Sequence, residues 1–370
     1  MDTQNSANAN VLILSPDPTV HGGVSTFIEL MKSCYKNTNA SSIWVGSIQN
    51  VSESKLSVIA RLMWIPIQVA FYALFKKPDA IHLNPSLDWK SVIRDGLIIF
   101  ALRITGYKKI IVFFHGWQPQ IIKAIDNSGL LKLITKWLLN GTARILVLSP
   151  EFKEDLKRIG VEETKIKTTT TMFDGRALLN SVDDKRTGRN ILFMSRFVKE
   201  KGIFELVDGF AAICSKYPDV TLIMAGDGEE LVKLKNHAKN LGLSERIHFA
   251  GYIGGNEKYK LLNNCTIYAL PTYYNEGMPV ALLEAMGAGK PVLTSNVASI
   301  PYIIKDQENG IMLDIINSST VAEALDFLLS NDELCIKIGE KNKVYAWDNF
   351  ESNKVTQKIE ALYSEVRNQV

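Results

Sequence analysis

Glu276 and Glu284 stand eight positions apart in YNEGMPVALLEAMGAGKPV, Tyr274 to Val292, with Gly277, Met278 and Pro279 between them. Pro279 suits the first turn of a helix, where a missing N–H costs nothing. Val280 to Met286 supplies helix formers and an apolar stripe, and Gly287, Gly289 and Pro291 end it. The helix start near Gly277 to Pro279 therefore offers free N–H groups and a positive dipole end, which favour an anion such as phosphate. At about 1.5 Å per residue the two carboxylates lie on the order of 10 Å apart. Carboxylates accept hydrogen bonds from hydroxyls. The set fits a sugar nucleotide, with hydroxyl groups on both sides of two phosphates. From these residues alone, a helix-start acid and a surface glutamate remain an equal alternative.

Other residues extend the pattern. SRFVKEKG places Arg196 and Lys201 five positions apart after an apolar stretch. A forked guanidinium and a compact ammonium together neutralise a diphosphate and stabilise it as a leaving group. Solvated loop charges paired with Glu200 are the bland reading. Gly22 and Gly23 precede a helical stretch, where bare backbone lets a phosphate approach. MAGDGEE carries Gly226 and Gly228 but has Leu231 where a dinucleotide fingerprint needs its third glycine. Gly226, and Gly251 in HFAGYI, are expected to line a base or phosphate pocket. His115 in FFHGW ends an apolar stretch and is a candidate for a sugar hydroxyl, with an ordinary loop histidine as the alternative. No His, Asp or Glu spacing suggests a metal, and no Asp-x-Asp pair is present to hold one against a diphosphate.

The elements that must position these residues alternate. NVLILS, DAIHLN, KIIVFFHG and ARILVLS read as buried strands separated by helices, the pattern of a doubly wound parallel sheet. A polar stretch, Asp174 to Asn190, reads as a linker. NILFMSR, DVTLIMAGDG, RIHFAGY, TIYALP and PVLTS then give a second such sheet. In these sheets ligands bind beyond the carboxyl ends of the strands, where all the candidates fall. The 370 residues exceed one ordinary core, and a formal charge of +3 makes no case for nucleic acid. Four scattered cysteines fit a reducing compartment, and the polar start MDTQNSANAN shows no signal peptide. Leu62–Phe75 is nearly all apolar with basic flanks, too short to span a bilayer at about 20 residues. With Gly96–Gly106 and Leu130–Asn140 it reads as buried helices or as helices lying on a membrane surface.

Taken together, these residues resemble retaining glycosyltransferases of family 4, the glycosyl transferases group 1. The resemblance covers nearly the whole chain and is strongest from NILFMSRFVKEKG through NEGMPVALLEAMGAGKPV. It implies an α/β, GT-B fold: two facing Rossmann-like doubly wound domains, 1–180 for the acceptor and 188–345 for the donor, with a helix over 346–370 crossing back to the first. It implies that Glu276 holds the donor sugar, Glu284 the ribose, and Arg196 and Lys201 the diphosphate. Gly22 and Gly23 would approach the phosphate and His115 the transferred sugar. Ser195 before the arginine, Met278-Pro279 in place of Phe-Gly, and Tyr302 after Pro301 depart from the commonest pattern.

The implied reaction moves a sugar from a nucleoside diphosphate sugar with retention, without a covalent carboxylate intermediate and with neither metal nor other cofactor. The apolar and basic segments suggest a lipid-linked saccharide acceptor at the inner face of a bacterial membrane, with the protein cytoplasmic or peripheral there. O-antigen, capsule or exopolysaccharide assembly would use such a step. A sugar-nucleotide epimerase on the same fold and an inactive sugar-nucleotide-binding partner are the rival readings.

Overall fold

The computed structural model describes residues 8–17, 22–46, 55–181, 188–275 and 277–369. The chain divides into two units, Met1–Thr171 with Ser352–Val370, and Met172–Glu351. In the first, the trace runs β1 (Ala9–Ser15), α1 (Gly23–Ser33), β2 (Thr38–Trp44), α2 (Lys55–Lys76), β3 (Ala80–Leu83), β4 (Ser86–Leu87), α3 (Trp89–Ile104), β5 (Ile110–Phe113), β6 (Gly116–Trp117), α4 (Pro119–Asn127), α5 (Gly129–Asn140), β7 (Arg144–Val147), α6 (Pro150–Arg158) and β8 (Ile166–Thr168). Six strands form one parallel sheet in the order β2-β1-β3-β5-β7-β8. Its central strands are continuous apolar runs because helices cover both faces. Leu12, Ile13, Ile81, Ile111 and Ile145 are all fully buried. β4 and β6 pair beyond the ends of β3 and β5 and so build up the carboxyl edge of the sheet.

The second unit runs α7 (Gly175–Asn180), β9 (Arg189–Met194), α8 (Ile203–Ile213), β10 (Val220–Ala225), α9 (Leu231–Asn240), β11 (Ile247–Gly251), α10 (Gly255–Asn264), β12 (Ile267–Ala269), α11 (Val280–Gly287), β13 (Val292–Ser295), α12 (Ile300–Ile303), β14 (Ile311–Leu313), α13 (Ser318–Leu329) and α14 (Asp332–Asn349). Its six strands are again parallel, in the order β11-β10-β9-β12-β13-β14. The chain then returns as α15 (Ser352–Arg367), whose Val355, Ile359, Leu362, Tyr363 and Val366 are buried in the first unit.

Several boundaries differ from the sequence expectation. The polar stretch from Asp174 is not all linker, and the first unit ends at Thr171 rather than 180. Asp174 caps α7 by accepting from the Ala177 N–H at 2.9 Å, and Leu178 is buried in the second unit. One capped turn with one buried leucine outweighs the polar composition around it. The returning segment starts at Ser352, not 346. Residues up to Asn349 complete α14, where Trp347 donates to the Gly287 carbonyl at 3.0 Å. Three strands, the seven-residue β2 and the short β8 and β14, lack a clear pattern in the sequence. β2, an edge strand reading TNASSIW, needs no apolar run because one side is solvated. The apolar run from Leu62 lies within a helix of 22 residues, long enough with its window Ile59–Lys76 to cross a membrane by length and composition. The β2-α2-β3 crossover instead ties both its ends to one sheet, and it buries Ile65, Val69 and Ala73.

Candidate active site

In the second unit the chain leaving β9 must turn sharply into α8. Gly202 makes that turn at φ +69°, and a side chain there would meet the Pro271 carbonyl oxygen at 1.9 Å. Only glycine permits that approach. The Glu200 carbonyl accepts from the N–H groups of Tyr273 and Tyr274, each at 2.9 Å, and from the Thr272 hydroxyl at 3.2 Å. The loops after β9 and β12 are thereby stitched side by side. As a result the Lys201 ammonium lies 4.7 Å and the Arg196 guanidinium carbon 5.9 Å from the centre of the Tyr274 ring. Both cations lie within reach of the same aromatic ring. Lys201 is 5% exposed; burial first, and then repulsion from Arg196, bring its ammonium down to about 7. A lysine so placed regains its full charge when an anion arrives.

Tyr274 leads into the start of α11. Glu276 lies outside the described residues. The Gly277 carbonyl accepts from the buried Ser299 hydroxyl, and the Met278 side chain is buried. Pro279 is the cap rather than the first helical residue, at φ −67° and ψ 112°, and its carbonyl accepts from Leu282 and Leu283. The first N–H groups of α11 have no partner within the helix. Ala298, next to Ser299, is held at φ +49°, a left-handed conformation that disfavours a Cβ.

Glu284 is not a surface residue. It is 3% exposed, and its Oε1 accepts from the Lys258 ammonium at 2.5 Å. Burial pushes its carboxyl above the ordinary value while the charge of Lys258 pulls the other way. The backbone at Gly226 is closely packed. Its missing side chain leaves room for the Ser195 carbonyl, which a Cβ would meet at 1.9 Å, and its N–H donates to the Gly251 carbonyl at 2.7 Å. Glycine is needed there by the packing of the β9 loop, and its amide is already used. Gly251, at φ +71°, has open space where a Cβ would stand.

In the first unit, Gly22 caps α1 and both Gly22 and Gly23 face open space. His115 lies beyond β5, with its ring 4.8 Å from that of Phe27 on α1 and 4.0 Å from that of Phe113. The structure therefore brings His115 to the same edge of the sheet as the start of α1. Asn84 Nδ2 donates to the Leu14 carbonyl at 3.2 Å, which leaves its Oδ1 to accept from His115 Nε2 at 2.9 Å. That fixes the Nε2–H tautomer and leaves Nδ1 as an acceptor. Desolvation, then the neighbouring His82, lower the ring to about 3. His115 is thus a neutral hydrogen-bonding group at physiological pH.

Sequence reasoning missed Tyr274 and Lys258. Neither residue type nor spacing tells which way a loop tyrosine turns. Lys258 reaches Glu284 from a different helix, 26 positions away.

Residues 179–345 match the family described as glycosyl transferases group 1. This part of the chain is a group 1 glycosyltransferase domain. Within the group 1 domain lie Arg196, Lys201, Tyr274 and Glu284. An uncharacterized glycosyltransferase of Haemophilus influenzae is 29% identical over 75% of this chain and 77% of its own. The UDP-Gal:alpha-D-GlcNAc-diphosphoundecaprenol alpha-1,3-galactosyltransferase of Escherichia coli is 25% identical over 80% of this chain and 78% of its own. Among solved structures, Anabaena HepE in complex with UDP-glucose superimposes with a TM-score of 0.74 at 18% identity, over 97% of this chain and 100% of its own. At that identity the likeness shows the fold, which is GT-B.

Proposed function

We propose that the protein transfers a sugar, with retention, from a nucleoside diphosphate sugar to a hydroxyl of a lipid-linked saccharide. The observation that carries the donor reading is the convergence of Arg196 and the buried Lys201 on Tyr274, next to the open helix start of the group 1 domain. A buried lysine that titrates near neutrality gains most from a doubly charged ligand. UDP-glucose on HepE and a UDP-galactose donor for the Escherichia coli relative support the ligand class.

In this reading Arg196 and Lys201 bind the diphosphate and stabilise the charge that gathers on it as the sugar leaves. The acceptor hydroxyl attacks from the face of the leaving group, and the departing phosphate takes its proton. Glu276 holds sugar hydroxyls. Glu284 accepts from the ribose beside the Lys258 ammonium. Gly251, Gly277 and the backbone of Met278 and Pro279 border the nucleotide, the amides of Gly22 and Gly23 approach the phosphate, and Nδ1 of His115 accepts from a hydroxyl of the transferred sugar. The chemistry needs no metal where these cations and helix ends carry the charge. The undecaprenol-linked acceptor named for the Escherichia coli relative supports a lipid-linked acceptor, at the inner face of a bacterial membrane, in surface polysaccharide assembly.

The test is thermal stability against UDP, GDP and ADP and their sugars, with and without magnesium. One nucleotide should raise the midpoint regardless of magnesium, and Lys201→Met should shrink the rise. No shift with any of them, or a shift undiminished by Lys201→Met, would overturn the donor site. Retention is read from the anomeric configuration of the product by NMR.

A further inference from the structure

At the end of the first unit opposite to His115, the amino ends of β3, β5, β7 and β8 enclose a cavity of about 840 Å³. Six cationic residues line it: Lys77, Arg103, Lys108, Lys109, Arg144 and Lys165. Among the described residues no carboxylate does. Part of this charge serves the fold. Lys165 donates to the carbonyls of Asn140 and Thr142, Lys109 to that of Arg367 at 2.7 Å, and Arg103 to that of Trp137, all near helix ends with a partial negative charge. Arg144 pairs with Glu365, and Lys165 lies 3.9 Å from Glu162. Nearby Asp79 is taken by Arg367 at 3.4 Å and by the Asn10 N–H at 2.9 Å. Among the described residues, Lys77 and Lys108 are in no ion pair.

Lys77 is also held at φ +46° just after α2, where glycine or asparagine would sit without strain. The fold keeps a lysine at a position that disfavours it.

The cavity borders an apolar face. α2 ends at Lys76, α3 carries Arg103 in its last turn, and α5 ends at Asn140. Outward from these ends, Met63, Trp64, Phe71 and Phe75 of α2, Ile93, Phe100 and Ile104 of α3, and Leu133 and Trp137 of α5 are exposed, Phe75 by 77%. The two regions touch: Phe100 lies 6.0 Å from Trp137, and the Arg103 guanidinium stacks 3.8 Å over the same indole. α2 contains no acidic residue. Exposed apolar residues on three neighbouring helices mark an interaction surface, and a mainly basic border suits an anionic one.

We propose that this cavity binds the phosphate of an acidic phospholipid and that α2, α3 and α5 lie on the bilayer beside it. The proposal rests on the lipid-linked acceptor reading only for its purpose, since binding needs no turnover. The test is flotation of the intact protein with vesicles of equal parts phosphatidylglycerol and phosphatidylcholine, and with phosphatidylcholine alone. The acidic vesicles should carry the protein and the neutral ones should not. Lys77→Gly with Lys108→Ala should lower binding by about tenfold or more. Lys77→Gly alone should raise the thermal midpoint while weakening binding, which separates the lipid role from a folding role. Equal binding to neutral vesicles, undiminished binding by the double variant, or protection by inorganic phosphate without vesicle binding would overturn the proposal. Lost vesicle binding with an intact nucleotide shift counts against this site alone; the converse counts against the donor site alone.

Discussion

Lys201 is only part-charged near neutral pH in the unliganded protein, and this sets two pH effects. The unfolded chain keeps that proton to about 10.5, whereas the folded one releases it near 7. The fold therefore gains stability from this group as pH rises from about 7 to 10.5 and loses that gain as pH falls through 7. A diphosphate reverses the preference, so donor binding should take up a proton above pH 7 and weaken as pH rises. Calorimetry in buffers of different ionisation enthalpy reads that uptake directly. Lys201→Met should abolish it and weaken binding by roughly ten- to a hundredfold, the worth of a hydrogen bond to a charged group. Absence of uptake by the native protein would remove Lys201 from the diphosphate site. A second effect at this scale concerns Ala298. Its φ of +49° predicts that Ala298→Gly stabilises the protein by about 0.5–1 kcal/mol, measured by chemical denaturation.

Among the elements, α15 holds the first unit together from the far end of the chain. Its Glu360 accepts from the N–H groups of Lys36 and Asn37, at 3.1 and 2.8 Å, and from the Thr38 hydroxyl at 2.8 Å. Its Tyr363 hydroxyl meets His82 Nδ1 at 2.7 Å and the Tyr35 hydroxyl at 3.1 Å. Glu360→Ala leaves three donors without this acceptor and should cost about 2–3 kcal/mol by denaturant titration. The buried ring of His82 titrates at about 3 because desolvation penalises its charged form, and His115 behaves alike. The unfolded chain protonates both near 6.5, so this unit should lose stability as pH falls from about 6.5 towards 3. His82→Phe should flatten that acid limb of the melting curve; an unchanged slope would deny His82 the role.

At the scale of the whole molecule the two units are unequal. Met172–Glu351 is continuous, whereas the other unit is assembled from Met1–Thr171 and Ser352–Val370. Residues 172–351 expressed alone should fold cooperatively, and residues 1–171 alone should not, because the buried face of α15 is missing. Circular dichroism melts of the two fragments check this; a folded 1–171 fragment would reduce α15 to an ornament of the surface. Charge is also unevenly placed. The formal +3 of the chain conceals the six-cation cavity of the first unit, so association with acidic vesicles should fall steeply with added salt even though the net charge is small.

The sequence by itself determined the two parallel sheets, because their central strands are apolar on both faces and carry that signal locally. It also determined a helix start near Gly277 to Pro279 and the cationic pair Arg196 and Lys201, since loop chemistry at strand ends is local as well. Tertiary structure decided the rest. Gly226 proved to serve the Ser195 carbonyl, Glu284 found Lys258 on another helix, and Tyr274 turned its ring to both cations. Each outcome depends on which segments meet, and residue spacing holds no record of that. The cavity of Lys77 and Lys108 arises in the same way, from the ends of helices and strands that lie far apart in the chain.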